Sequence, residues 1–240
     1  MNRGSGILAV VPVKRFSAAK SRLAPLLDAG ERSTLARVMF EDVLDLLMQC
    51  QEILAGIAVV TSDQDAAAWT RKCGAVVVFD QGDNGINPAI GLAIERIGRN
   101  GDDGIIVVPS DIPQILPNAI VNAAEAVTSP RTLAIAPAAD GGTNLLACRP
   151  KGAMPLCFGA RSFDRHRRAA LQAGLSVQAL GLPELSLDID RPEDLRAFLS
   201  LESKTRTHAY LLRLGIGARL EHRNHLERQP ADCAAPGVVS

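Results

Sequence analysis

The sequence predicts an α/β fold, a mostly parallel sheet with helices on both faces, and three observations carry that prediction. Nearly half of the 240 residues are apolar but only 3% are aromatic, so the core must be built from Ala, Leu, Val and Ile, the usual content of parallel strands covered by helices. Short apolar runs rich in β-branched residues recur without in–out alternation, as strands buried on both faces require. Between them lie longer stretches with apolar residues at helical spacing, and this βα rhythm is that of a single α/β domain.

Ile7–Val13 (ILAVVPV) reads as the first central strand. Over residues 31–49, Leu35, Val38, Met39, Val43, Leu46 and Leu47 fall on one face of a long amphipathic helix. Residues 57–61 give the next strand, 64–73 a helix closed by Gly74, and 76–79 a further strand. Asn87 before Pro88 predicts an N-cap with proline in the first turn of a helix running to residue 97. Residues 104–108 (GIIVV) form a second central strand and 117–127 a helix. Strands at 133–137 and 145–148 flank the turn Ala139-Asp140-Gly141-Gly142, a pair suited to antiparallel pairing. Residues 162–173 form a basic helix and 177–180 a strand, and Asp190 with Glu193 forms a cap on a helix reaching Leu199. The main domain is expected to span 1–202. Beyond it, in an extension covering 203–240, Ala209, Leu212 and Ile216 predict one docked helix, followed by a frayed tail over the last dozen residues.

Lys and Arg together number 26, as do Asp and Glu, so no global field draws the chain onto nucleic acid and any anion site must be local. Five dispersed cysteines with no C-x-x-C pair argue against a disulfide framework or zinc knuckle and fit a reducing cytoplasm. No segment approaches the roughly 20 apolar residues of a membrane span, so no membrane association is expected. The common P-loop, dinucleotide and serine-hydrolase signatures are all missing.

Several local patterns nevertheless carry chemistry. Lys14, Arg15, Lys20, Ser21 and Arg22 follow the opening strand in one loop, where an α/β sheet binds ligands and where cations and free N–H groups suit a polyphosphate. Ser110 and Asp111 sit just past the second central strand; Asp111 is either a magnesium ligand or the cap of the next turn. Asp188 and Asp190 flank Ile189, so in extended backbone both carboxylates face one way and want a shared cation, with Asp111 as a third oxygen donor; Asp190 as a simple helix cap is the competing role. Gly141, Gly142 and Thr143 permit close approach of a phosphate or make an ordinary hairpin turn. Phe158 to Ser162 (FGARS) opens a helix whose N-terminus suits a second anion; the arginines 161, 165, 167 and 168 default to a solvated face, and His166 reads as structural.

In order along residues 7–200, VVPVKRFSAAKSRLAP, DNGINPAI, VVPSDIP, the Gly142-Thr143-Asn144 turn, FGARSF and LSLDIDRPEDL resemble the phospholactate/phosphoenolpyruvate guanylyltransferases of deazaflavin coenzyme biosynthesis. The resemblance implies a Rossmann-like GT-A-type nucleotidyltransferase fold and a reaction of GTP with a phosphorylated three-carbon acid: phosphoenolpyruvate, 3-phospho-D-glycerate or 2-phospho-L-lactate. It implies that Lys14, Lys20, Ser21 and Arg22 hold the GTP phosphates, with Ser110 beside them. It likewise implies that Asn87 and Pro88 lie near the guanine and ribose, that Asp111, Asp188 and Asp190 hold Mg2+, and that Thr143, Gly159 and Ser162 bind the acid. Lys14, Lys20 and Asp111 would be the catalytic groups, and a monomer or homodimer fits. Two other functions compete. A molybdenum-cofactor-type nucleotidyltransferase would open on a glycine-rich loop where this chain has PVKRFSAAKSRL, and a non-catalytic nucleotide-binding regulator would not need the three aspartates.

Overall fold

The first apolar run forms β1 (Ile7–Val13) near the middle of a seven-stranded sheet. The computed structural model describes residues 6–81, 84–97 and 103–228. With β2 (Gly56–Thr61), β3 (Val76–Phe79), β4 (Gly104–Val107), β5 (Thr132–Pro137), β6 (Thr143–Arg149) and β7 (Ser176–Ala179), the spatial order is β3-β2-β1-β4-β6-β5-β7. β1 pairs in parallel with both β2 and β4, so consecutive crossovers leave it in opposite directions across the sheet and open a crevice at the carboxyl ends of β1 and β4. β6 is antiparallel to both its neighbours. Running against the rest, it delivers its first residues, Thr143 and Asn144, to the same edge at which β1, β4 and β5 end.

Alternation along β1 explains why both faces are covered. Ile7, Ala9, Val11 and Val13 enter one apolar cluster, with side chains of α1 (Ala29–Gln49), α2 (Gln64–Lys72) and α4 (Pro117–Ala126). Leu8 and Val10 enter a second, with α3 (Ile86–Ile97) and α5 (Ser162–Gln172). The mostly parallel sheet with helices on both faces is therefore the fold observed, and strand boundaries fall within about two residues of those predicted.

Helix ends depart from expectation where side chains are engaged elsewhere. α1 begins at Ala29 because Asp28 and Glu31 form a reciprocal cap, at 2.7 and 3.0 Å. Asn87 is not the N-cap of α3 but its second residue; its amide is committed to the backbone of Phe158. In α6 (Pro192–Leu199) the cap is made by Asp194, which accepts the Asp190 and Arg191 N–H groups at 2.9 and 2.6 Å, so neither Asp190 nor Glu193 caps it. The Asp190 carboxylate is thereby left for other partners.

The expected single C-terminal helix is two, α7 (Arg206–Arg213) and α8 (Ile216–Arg228), parted at Gly215 with φ +62°. Ala209 and Leu212 face solvent; the buried face is Thr207, Tyr210, Leu211, Ile216 and Leu220. Most of these join a third cluster with Leu23, Leu35, Ile189 and Phe198. The boundary drawn at residue 202 therefore does not separate two packing units: α7 and α8 brace the loop after β1 and the segment carrying Asp188 and Asp190. Residues 229–240, where a frayed tail was expected, lie outside the described residues. No described helix is long and apolar enough to cross a membrane.

Asp42 on α1 ties the extension down. Its carboxylate accepts the N–H groups of Arg206 and Thr207, both at 2.9 Å, and the Thr207 hydroxyl at 2.7 Å, serving free donors of the first turn of α7. Asp42→Ala should destabilise the fold by about 1–3 kcal/mol, the range for losing a helix cap plus a charged hydrogen bond. Urea unfolding measures this, and an unshifted midpoint would show that the extension is not held by this contact.

Candidate active site

At the crevice between β1 and β4 lies a cleft of about 790 Å3. One wall is the loop after β1 with Lys14, Lys20, Ser21 and Arg22; the floor includes Ser110, Asp111, Asp188 and Asp190; the far wall holds Thr143, Gly159 and Ser162. Chain segments nearly 180 residues apart thus meet at the carboxyl edge of the sheet.

The loop is pinned at both ends. Asp63, at the start of α2, accepts the Phe16 N–H at 2.9 Å, Arg15 Nε donates to Ser62 Oγ at 3.2 Å, and the buried Phe16 ring lies 6.0 Å from that of Phe40. Leu23 is fully buried in the third cluster. Between these anchors Lys20 sits at φ +55°, ψ +36°, a left-handed conformation that costs a side-chain-bearing residue about 1–3 kcal/mol and persists only when the surroundings impose it.

The surroundings are electrostatic. Lys20 Nζ donates to Asp111 Oδ2 at 2.7 Å and Asp190 Oδ1 at 2.8 Å, and Arg22 Nη1 reaches Asp190 Oδ2 at 3.3 Å. Burial works against the Lys20 charge, but the two carboxylates outweigh it and hold its pKa above the ordinary lysine value. Burial likewise opposes the Asp190 charge, and the Lys20 ammonium, aided by Arg22 and Lys14, overcomes this and draws its pKa below the carboxylate norm. Asp188 behaves in the opposite way. Burial, then the Asp111 charge, pushes its pKa up, and its side-chain hydrogen bond is a long one of 3.4 Å from Asn144 Nδ2.

All three predicted carboxylates therefore line the cleft, and two of them share a cation, which is the Lys20 ammonium. Among the described residues no group of three acidic, histidine or cysteine side chains stands ready-made to hold a metal ion. The donor set still has the right chemistry: three carboxylates supply hard oxygens around one cleft, with an ammonium already stationed between two of them.

The far wall begins at the β5–β6 turn, where Asp140 Oδ1 accepts the Gly142 N–H at 2.8 Å. A Cβ on Gly142 would meet that oxygen at 2.8 Å, so a side chain there would displace the Asp140 carboxylate from this turn. Gly159 has φ +121°, open only to glycine, and turns the chain into α5. Thr143 and Ser162 are both buried and hydrogen-bonded to each other at 2.9 Å. His166, fully buried behind them, lies 3.1 Å from Thr143 through Nδ1 and accepts the Cys157 N–H at Nε2, 2.8 Å.

Asn87 and Pro88 are not among the residues lining the cleft; Gly85, Ile86 and Ala89 are. The Asn87 amide instead clamps Phe158, accepting its N–H at 2.8 Å and donating to its carbonyl at 3.2 Å, which sets the start of the Gly159 turn. Asn144 and the polar contacts of His166 were not singled out in the sequence. Asn144 follows Thr143 in the Gly142-Thr143-Asn144 turn, a position legible in the sequence; the His166 contacts depend on a turn of backbone with no sequence signal.

A family model for "Guanylyl transferase CofC like" matches residues 7–231, past the end of the segment that resembled that family by motif. The chain is 37% identical over 189 residues to the phosphoenolpyruvate guanylyltransferase of Sphaerobacter thermophilus, covering 78% of this chain and 90% of that one. To the 2-phospho-L-lactate guanylyltransferase of Methanothermobacter thermautotrophicus it is 34% identical over 206 residues, 86% of this chain and 90% of the other. Among solved structures, a protein from Desulfovibrio desulfuricans described as a nucleotide-diphospho-sugar transferase superposes with a TM-score of 0.73 at 20% identity, over 90% of this chain and 97% of that one. At that identity the superposition establishes the fold.

Burial, and secondarily the charge of Arg165, lowers the His166 pKa to about 4. An unfolded chain takes up that proton near 6.5, so between these values the unfolded state binds more protons and stability falls as the pH falls. Wild-type protein should therefore lose thermal stability between pH 6.5 and about 4 more steeply than His166→Asn, which has no such proton to take up. Parallel melting curves across that window would contradict a buried neutral imidazole.

Proposed function

The chain belongs to the family of CofC-like guanylyl transferases and is a nucleotidyltransferase. From that premise we propose that its cleft joins the guanylyl group of GTP to the phosphate of a small phosphorylated carboxylic acid and releases pyrophosphate, a step of deazaflavin coenzyme assembly. The observation that carries the proposal is the composition of one cleft: a cationic loop on one wall, buried hydroxyls and a glycine turn on the other, and three aspartates linking them. Its volume of about 790 Å3 suits two small ligands side by side. Small-molecule pockets commonly run from about 300 to 1,000 Å3.

In the proposed reaction a phosphate oxygen of the acid attacks the α-phosphorus of GTP in line. The new P–O bond forms as the bond from the α-phosphorus to the β-phosphate oxygen breaks, and the electron pair leaves with pyrophosphate. No general base is required, because a phosphomonoester with a second pKa of about 6 is already largely dianionic at neutral pH. The protein's work is to screen charge and align reactants. Lys14, Lys20 and Arg22 bring positive charge to the triphosphate, with Ser21 and Ser110 offering hydroxyls beside it. Thr143, Gly159 and Ser162 orient the acid, and the Asn87 clamp on Phe158 holds their turn in place.

Asp111, Asp188 and Asp190 are the residues that would hold Mg2+, with the Lys20 ammonium acting as a stand-in cation between two of them. When bound, the ion supplies Lewis acidity toward the phosphoryl oxygens and offsets the charge of the departing pyrophosphate. The three acids considered are phosphoenolpyruvate, 2-phospho-L-lactate and 3-phospho-D-glycerate, and the first two are the substrates named for the relatives above.

Purified protein incubated with GTP, Mg2+ and each acid in turn should release pyrophosphate with at least one of them; release with none would overturn the proposal. Asp188→Ala should lower turnover by about a hundredfold or more, since metal-held charge stabilisation is worth several kcal/mol. Because the folded protein disfavours the Asp188 charge, the same variant should unfold at a temperature no lower than wild type. Undiminished turnover would remove Asp188 from the site.

A further inference from the structure

His166 does not line the cleft, is fully buried, and has no part in the reaction outlined above. Its two ring nitrogens are nonetheless both engaged, and the chemistry of those contacts fixes more than the ring. The Cys157 backbone N–H can only donate, so Nε2, 2.8 Å away, must accept and carries no proton. The proton of a neutral imidazole then resides on Nδ1, which faces Thr143 Oγ1 at 3.1 Å. A ring pKa lowered to about 4 keeps it neutral at ordinary pH.

Thr143, Ser162 and His166 make two internal contacts, ring to Thr143 and Thr143 to Ser162. The Nδ1–H fills the first and one hydroxyl proton fills the second, so one hydroxyl proton is left over. With the opposite tautomer, the Thr143 hydroxyl would donate to the ring and the Ser162 hydroxyl to Thr143, leaving none. In the geometry observed Ser162 donates to Thr143, so the spare proton is that of Thr143. Among the described residues neither hydroxyl has a further partner, and both residues line the cleft.

We infer that His166 is a positioning residue for the acceptor: held by the Cys157 N–H as its Nδ1–H tautomer, it obliges the Thr143–Ser162 pair to keep one O–H donor aimed into the cleft. That donor serves an anionic oxygen of the phosphorylated acid. The inference rests on the functional reading above in taking this wall as the acceptor wall; the tautomer argument stands apart from it. A wall polarised in this way favours phosphate or carboxylate oxygens, which accept only, over neutral groups that would need to donate.

Two measurements test it. In the intact wild-type protein, long-range 1H–15N correlation spectra of the imidazole should show His166 protonated at Nδ1; protonation at Nε2 overturns the inference, whatever the substrate is. In steady-state assays, His166→Leu, which leaves a spare hydroxyl proton but removes the N–H that holds Thr143 Oγ1 as an acceptor on its buried side and so frees both hydroxyls to turn away from the cleft, should raise KM for the acid by about threefold to tenfold. KM for GTP should stay within about twofold of wild type, since the loop that grips it is untouched. His166→Asn, which can still donate to Thr143, should recover most of the loss. An unchanged acid KM in His166→Leu, or an equal rise for GTP, would contradict the relay and leave His166 a packing residue. If wild-type protein uses none of the acids, the functional reading is what fails, and the spectra still decide the tautomer.

Discussion

The contact on which the site depends is the buried Lys20 ammonium held between Asp111 and Asp190, partners 91 and 170 residues away in sequence. Three segments with no covalent reason to meet are brought to one point by it. Such an interaction stabilises little relative to an apolar replacement, because desolvating the charges consumes most of the Coulomb attraction. Removing one carboxylate is another matter, since it leaves the buried Lys20 ammonium with half its compensation. The left-handed backbone of Lys20 adds strain that no helix or strand requires. A residue held against its backbone preference, with its charge buried, is what a preorganised site looks like when electrostatics rather than stability set its design.

The fold makes that meeting possible through strand direction. β1 and β4 run in parallel and end together, so Lys14 and Asp111 arrive at one edge; β6 runs the other way and begins there, so Thr143 and Asn144 arrive too. α5 completes the far wall with its N-terminus. Behind the site, α7 and α8 bury Tyr210, Leu211, Ile216 and Leu220 against Leu23 and Ile189, which lie in the loop bearing Lys20 and between the two distal aspartates. The loop wall and the floor that carries the distal aspartates thus share one apolar backing. The C-terminal segment is structurally part of the site's support although none of its described residues lines the cleft.

Much of this was legible in the sequence, for identifiable reasons. Unalternating apolar runs such as ILAVVPV have few structural options, and the position of Lys20, Asp111 and Thr143 at the ends of such runs placed them at the sheet edge. What could not be read were contacts made by polar side chains across long sequence separations. Asn87 looked like a cap because Asn before Pro usually is one, yet its amide is used by Phe158, 71 residues on. Asp190 looked like a cap as well, but Asp194 does that work and leaves Asp190 to Lys20. Of the residues expected on the docked face of one C-terminal helix, Ile216 is buried but Ala209 and Leu212 are exposed, because the helix is broken at Gly215 and α7 takes its orientation from Asp42, which holds its first turn. His166 read as structural in the absence of a neighbouring carboxylate; its partners are a hydroxyl and a backbone N–H, neither visible from spacing.

In the proposed reaction the carboxylates gathered around Lys20 are the cation-binding heart of a nucleotide site. The most direct test is a crystal of the protein with GTP and Mn2+, the latter located by its anomalous scattering. One manganese or more should be bound by oxygens of Asp111, Asp188 and Asp190, with the Lys20 ammonium turned to the triphosphate. Nucleotide bound elsewhere, or in this cleft with Lys20 still between Asp111 and Asp190 and no metal at the three aspartates, would contradict this assignment.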